Sequence, residues 1–194
     1  MAAPASPSLG VVFRDVVGCL EQRRIPYLVI GGIAQAVIGE PRLTQDVDCI
    51  VFVPPADANT VLDAFQQAGF AVDTASAMAQ IETTGTFAVT RDRWRVDCIL
   101  ASTDFEQSAL QRRQRLRLYD VEANLPTPED LVLLKLVPGR DKDLLDIKTI
   151  LLRHHATLDV AYLTHWARRL ADEAEDARMR RTLQQLLRDV GLRT

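Results

Sequence analysis

Two short apolar runs in this chain carry aspartates where a β-strand would normally bury its side chains. That conflict limits what the chain can become. The first run is Asp46-Val47-Asp48-Cys49-Ile50-Val51-Phe52-Val53, stopped by Pro54-Pro55, and the second is Arg95-Val96-Asp97-Cys98-Ile99-Leu100. The second half of the first run is β-branched and apolar, so it reads as a strand. Side chains at i and i+2 leave one face of a strand, so Asp46 and Asp48 point the same way. Strands disfavour aspartate, and burying an unpaired carboxylate is costly. If the two strands lie side by side, three carboxylates come together. Like charges about 4 Å apart repel by roughly 4 kcal/mol at an effective dielectric near 20. Such a cluster has to be offset by protons, arginines or cations. Oxygen-only ligands favour Mg²⁺ or Mn²⁺, and two such ions suit in-line displacement at phosphorus. The plainer alternative makes Asp46 a cap at the strand start and Asp97 a salt-bridge partner of Arg93 or Arg95.

The rest of the chain supplies a frame for these strands. Apolar residues at helical spacing (Val12, Val16, Val17, Leu20) predict an opening helix. Tyr27-Leu28-Val29-Ile30 reads as a buried strand, broken by Gly31-Gly32, after which Ile33 to Ile38 begins a helix. Residues 56–68 predict a helix, 70–73 a short strand, and 84–100 a hairpin turning at Thr90-Arg91-Asp92. Residues 105–111 predict a further helix and 116–121 a last edge strand. Thr127-Pro128-Glu129-Asp130 is a helix start, with Thr as cap, Pro at the first position and acids in the first turn. Beyond it the pattern is helical to the end, with breaks at Pro138-Gly139 and near His154-His155. The order predicts an α+β fold: a mixed sheet with flanking helices and a helical tail. The expected divisions are a disordered leader (1–9), a core domain (10–125) and a helical region (126–194).

Composition narrows the partners. With 23 Lys and Arg against 26 Asp and Glu the net charge is −3, which excludes a strongly basic protein wrapped along nucleic acid. Only the run Arg112-Arg113-Gln114-Arg115-Leu116-Arg117 is densely basic. Three cysteines without metal or disulfide spacing suit a reducing cytoplasm. The Ala/Pro/Ser-rich start lacks the basic and apolar regions of a signal peptide, and no apolar run approaches the roughly 18 residues that span a bilayer. A cytoplasmic protein with no membrane partner is expected. Cys49 and Cys98 each follow a candidate ligand and so face the other side of the sheet, as buried inert thiols.

Gly31-Gly32, thirteen residues, then Asp46-Val47-Asp48, with Asp97 on a later strand, resembles the fingerprint of the DNA polymerase β-like nucleotidyltransferase superfamily. The segment Arg42-Leu43-Thr44-Gln45-Asp46-Val47-Asp48 is similar to the R-x-T-x-D-h-D segment of small bacterial nucleotidyltransferases, among them toxins of abortive-infection (AbiE-type) toxin–antitoxin systems. Residues 128–135 and 139–147 resemble that group too. The resemblance implies a catalytic and metal-holding set of Asp46, Asp48 and Asp97. It also implies phosphate contacts from Gly31 and Gly32, with Arg42 and Thr44 within reach of the triphosphate. Lys135 would neutralise triphosphate charge. The cofactor would be Mg²⁺ or Mn²⁺, the substrate a nucleoside triphosphate, and the acceptor a hydroxyl on RNA, protein or a small molecule such as an antibiotic. The toxin group would add an antitoxin partner. Many active members carry Gly-Ser, whose hydroxyl binds a phosphate, where this chain has Gly31-Gly32. That departure leaves open a catalytically silent nucleotide- or partner-binding module on the same fold. Arg140, Lys142, Asp143 and Asp146 read as a structural charge network at a helix start, with Asp143 capping.

Overall fold

In the computed structural model, which describes residues 6–192, Ser8 opens the first helix by accepting a hydrogen bond from the Val11 N–H. Helix α1 (Leu9–Gln22) buries the predicted stripe of Val12, Val16, Val17 and Leu20 together with Phe13. The leader expected over residues 1–9 falls, for its first five residues, outside the described range. Strand β1 (Tyr27–Ile30) runs straight into α2 (Gly31–Ile38), so both glycines belong to the helix start and no separate turn intervenes. After the loop at 39–45 comes β2 (Asp46–Val51), then a short 3₁₀ turn (Pro55–Asp57) and α3 (Ala58–Gln67). Helix α4 (Thr74–Thr84), β3 (Thr86–Arg91) and β4 (Trp94–Leu100) follow. Next are α5 (Asp104–Gln111), β5 (Gln114–Leu118) and β6 (Val121–Leu125). Four helices complete the described chain: α6 (Pro128–Leu136), α7 (Asp141–Arg153), α8 (Val160–Glu173) and α9 (Ala177–Asp189).

The fold is α+β. Its four-stranded sheet has the order β1-β2-β4-β3, with β2 and β4 parallel and the two outer pairings antiparallel. The expected hairpin is β3–β4. The one parallel pairing, β2 with β4, is joined through α3, α4 and β3, because parallel neighbours need a crossover rather than a tight turn.

Two expectations change, and one element is new. The strand predicted at 70–73 is a single bridge between Ala71 and Thr90. The edge strand predicted at 116–121 is two strands, β5 and β6, paired antiparallel in a sheet of their own. Tyr119 and Asp120 make its two-residue turn, both with positive φ (46° and 65°), the conformation that matches hairpin twist. Helix α4 occupies a stretch that carried no prediction.

By its internal contacts the chain forms two units, residues 1–32 with 43–125 and residues 33–42 with 126–194. In the first unit one face of the sheet is closed: Val47, Cys49, Val51, Val96, Cys98 and Phe87 are all buried. Phe65 of α3 meets Phe87 edge-on at 6.2 Å and Phe70 at 5.3 Å. In the second unit α6 packs on α7 and α8, and α8 on α9. Among the described residues, no helix is long and apolar enough to cross a membrane.

The thiols behave as their alternation predicts. Cys49 and Cys98 are register partners on the closed face, sulfur to sulfur 3.2 Å, and both are buried. Burial pushes the Cys19 thiol up to about 12, and burial with Cys49 alongside raises Cys98 well above 9.0. An unfolded chain would ionise these groups near 9.0, so their contribution to stability is whole below that pH and is lost as pH rises towards 12. Two results are expected. Iodoacetamide at pH about 8 labels none of the three cysteines until denaturant is added, and the urea midpoint is lower at pH about 10.5 than at about 8. Labelling of the native protein at Cys49 or Cys98 would contradict the closed face.

Candidate active site

The acidic face of the sheet is built by register. Strands β2 and β4 run parallel with Asp48 opposite Asp97 and Asp46 opposite Arg95. Register partners share a face, and Asp46 lies two residues before Asp48, so the three carboxylates and Arg95 all leave the sheet on the side away from the closed core. Asp46 is exposed; Asp48 and Asp97 are half-buried. Adjacent strands stand about 4.8 Å apart, which brings Asp48 and Asp97 into the range where like charges repel.

Part of that repulsion is met by Arg95, whose Nε donates to Asp97 Oδ1 at 2.8 Å. The salt bridge expected of the plainer reading therefore exists, on a face that also holds the other two acids. Among the described residues no three His, Cys, Asp or Glu side chains are gathered tightly enough to ligate one ion as they stand. Asp97 is turned to its arginine, so the third carboxylate shares the face without closing on the other two. The donor chemistry nonetheless fits a hard divalent cation: carboxylate oxygens only, partly open to water, beside one arginine that a cation would displace.

Gly31 is fixed twice over. Its φ of +62° is in the left-handed region, and a Cβ there would run into the Asp48 carboxylate. The backbone at the start of α2 is thus held directly against the second aspartate. The first-turn N–H groups of a helix have no partner within the helix and attract anions. At Gly32 a Cβ would meet the side chain of Thr44, whose hydroxyl donates to the Asp46 carbonyl at 3.3 Å.

The remaining predicted residues belong to the second unit. Lys135, on α6, is buried at 5% exposure, and its Nζ donates to Asp146 Oδ2 at 2.6 Å. Arg42 Nε lies 3.3 Å from that same oxygen. Asp146 therefore joins two residues that sequence reading assigned to phosphate, a role the charge pattern alone did not reveal. Within the network expected at the start of α7, Asp143 accepts from both the Arg140 N–H (3.3 Å) and its Nε (2.6 Å). Gln35 was also missed: it is buried, donates to Thr149 Oγ1 at 2.9 Å, and leaves its own Oε1 without a protein partner. His154 is held by the Ile38 carbonyl at 2.7 Å. In the basic run Arg113, Arg115 and Arg117 are exposed, and Arg115 pairs with Glu21 (3.5 Å) and Glu122 (3.6 Å).

The model of a family described as "Nucleotidyltransferase of unknown function (DUF6036)" matches residues 13–187. The chain belongs to this family. Solved structures agree on the fold of this nucleotidyltransferase. ANT(2″)-Ia in complex with adenylyl-2″-tobramycin is similar over 85% of this chain and 98% of its own, with a TM-score of 0.57 and 12% identity. The lincomycin-bound lincosamide antibiotic adenylyltransferase LnuA is similar over 75% of this chain and 96% of its own, at a TM-score of 0.50 and 12% identity. At such identity the likeness speaks for the nucleotidyltransferase fold alone. No curated protein sequence matches the chain.

Proposed function

We propose that this nucleotidyltransferase moves a nucleoside monophosphate from a nucleoside triphosphate to a hydroxyl acceptor, using Asp46, Asp48 and Asp97 as its catalytic and metal-holding carboxylates. The observation that carries the reading is the parallel register of β2 and β4, with Asp48 opposite Asp97 and Asp46 on the same face. Strands disfavour aspartate, and three on one face of two adjacent strands suit a site that binds cations better than a packed sheet face.

Asp46 and Asp48 would hold Mg²⁺ or Mn²⁺ against the phosphates, and Asp97 would serve the side of the attacking hydroxyl. A divalent ion, when bound, supplies neutralisation of phosphate charge and eases ionisation of a coordinated hydroxyl. Asp97 also gives the acceptor proton a place to go, since a carboxylate freed from Arg95 can accept it. The N–H groups at Gly31 and Gly32 receive phosphate oxygens. Arg42 and Lys135 are the cations the family resemblance assigns to the triphosphate. Both are held by Asp146 in the second unit. The R-x-T-x-D-h-D segment supports kinship with the abortive-infection group, and the exposed Arg113 and Arg117 favour RNA as the bearer of the acceptor hydroxyl.

The test is release of pyrophosphate from each of the four ribonucleoside triphosphates, with total tRNA, the protein itself, or an aminoglycoside as acceptor. Mg²⁺-dependent release with label appearing on tRNA is expected, together with growth arrest on expression. Label on the antibiotic without growth arrest would move the acceptor to a small molecule. Nucleotide binding without release under every acceptor would leave a silent binding module.

A further inference from the structure

We infer that Thr44 supplies the phosphate-binding hydroxyl that position 32, a glycine here, does not. This rests on the nucleotidyl-transfer reading above and concerns the feature that most argues against it. In the Gly-Ser form of the motif the hydroxyl stands on the second residue of the pair. Here that residue is Gly32, and the space its side chain would take is filled by Thr44. The three atoms nearest to a Cβ at position 32 all belong to Thr44, with Oγ1 closest, then Cβ at 2.7 Å and Cγ2 at 3.5 Å. The threonine therefore turns its hydroxyl, and not its methyl, towards the missing side chain.

Three further facts make the substitution chemically sensible. Thr44 stands two residues before Asp46, so its hydroxyl is tethered to the strand that carries two of the carboxylates. Its donor contact with the Asp46 carbonyl, at 3.3 Å, is long for an O–H···O bond, so a charged phosphate oxygen would compete for that proton on favourable terms. Thr44 is also only half-buried, which leaves its oxygen within reach of a ligand. A serine at position 32 and a threonine at position 44 cannot both be accommodated as the backbone stands. The two positions are thus alternative sources of one hydroxyl, and the glycine pair marks a relocated contact.

Mutual exclusion gives the test. Binding of Mg²⁺-tripolyphosphate, which has no base, and of Mg²⁺-ATP is measured by calorimetry for wild type, Thr44→Ser, Thr44→Val, Gly32→Ser and the double variant Gly32→Ser/Thr44→Gly. Melting temperature is recorded for each. Thr44→Ser is expected to bind tripolyphosphate like wild type. Thr44→Val, which keeps the shape, is expected to bind it about ten- to a hundredfold more weakly, the usual worth of a hydrogen bond to a charged group. Gly32→Ser alone collides with Thr44 and loses both affinity and melting temperature. The double variant regains affinity because the hydroxyl returns from the other side. A purely structural threonine would instead leave the double variant binding no better than Thr44→Val. Thr44→Val binding as well as Thr44→Ser would overturn the inference while leaving the transferase reading intact. A wild type that binds neither tripolyphosphate nor any nucleoside triphosphate would overturn both.

Discussion

Asp48→Asn is expected to reduce Mg²⁺-dependent pyrophosphate release by about 10²–10³-fold or more, the scale seen when one preorganised electrostatic contact is lost. The same change should leave the melting temperature unchanged or slightly higher. The two effects have opposite signs for one reason. Asp48 faces Asp97 across adjacent parallel strands, and an amide of the same shape removes that repulsion from the folded state. A carboxylate retained for structure would behave differently, since neutralising it costs stability. Asp97→Asn gives the same loss of activity but forgoes the Arg95 pair, which is more than a third exposed on both sides and so contributes no more than about 1 kcal/mol. Single-turnover assays and thermal unfolding on the two variants check both signs. Either variant retaining full activity, or Asp48→Asn unfolding well below wild type, would remove the case for a metal-holding face.

The acids were legible in the sequence because a strand's period of two converts spacing directly into geometry. Asp46 and Asp48 share a face by counting, and Cys49 and Cys98 fall on the other. The Gly31–Gly32 break was legible for a similar reason, because few other residues can follow a strand with a φ of +62° against a neighbouring carboxylate. Helix α4 was not, since it buries only Ala77 and Ile81 and so shows no apolar stripe. The β5–β6 hairpin hid because Tyr119 and Asp120 take left-handed conformations that normally announce themselves through Gly or Asn. The 70–73 stretch has strand composition but only one bridging partner. Contacts set by tertiary packing left no local trace: Thr44 in the space beside Gly32, and Asp146 joining Lys135 to Arg42. The period of a strand or helix says nothing about such contacts, which join residues far apart in the chain.

That hold has a large expected effect. Lys135 and Asp146 are both nearly buried, at 5% and 7% exposure, with Nζ and Oδ2 2.6 Å apart. Replacing Asp146 by Leu strands an ammonium in a closed site and is expected to cost about 3–5 kcal/mol in urea unfolding. Lys135→Met should cost less, because Arg42 remains 3.3 Å from the carboxylate and is partly open to water. Combining the two changes removes both charges together, and the double variant should recover most of the stability lost by Asp146→Leu alone. If the two costs simply add, the pair carries no coupling and the buried bridge is not what holds α6 to α7. If the double variant folds as well as expected, it becomes the sharper functional probe. Any loss of triphosphate turnover in it then reports on the Lys135 charge together with the hold of Asp146 on Arg42, and not on lost packing.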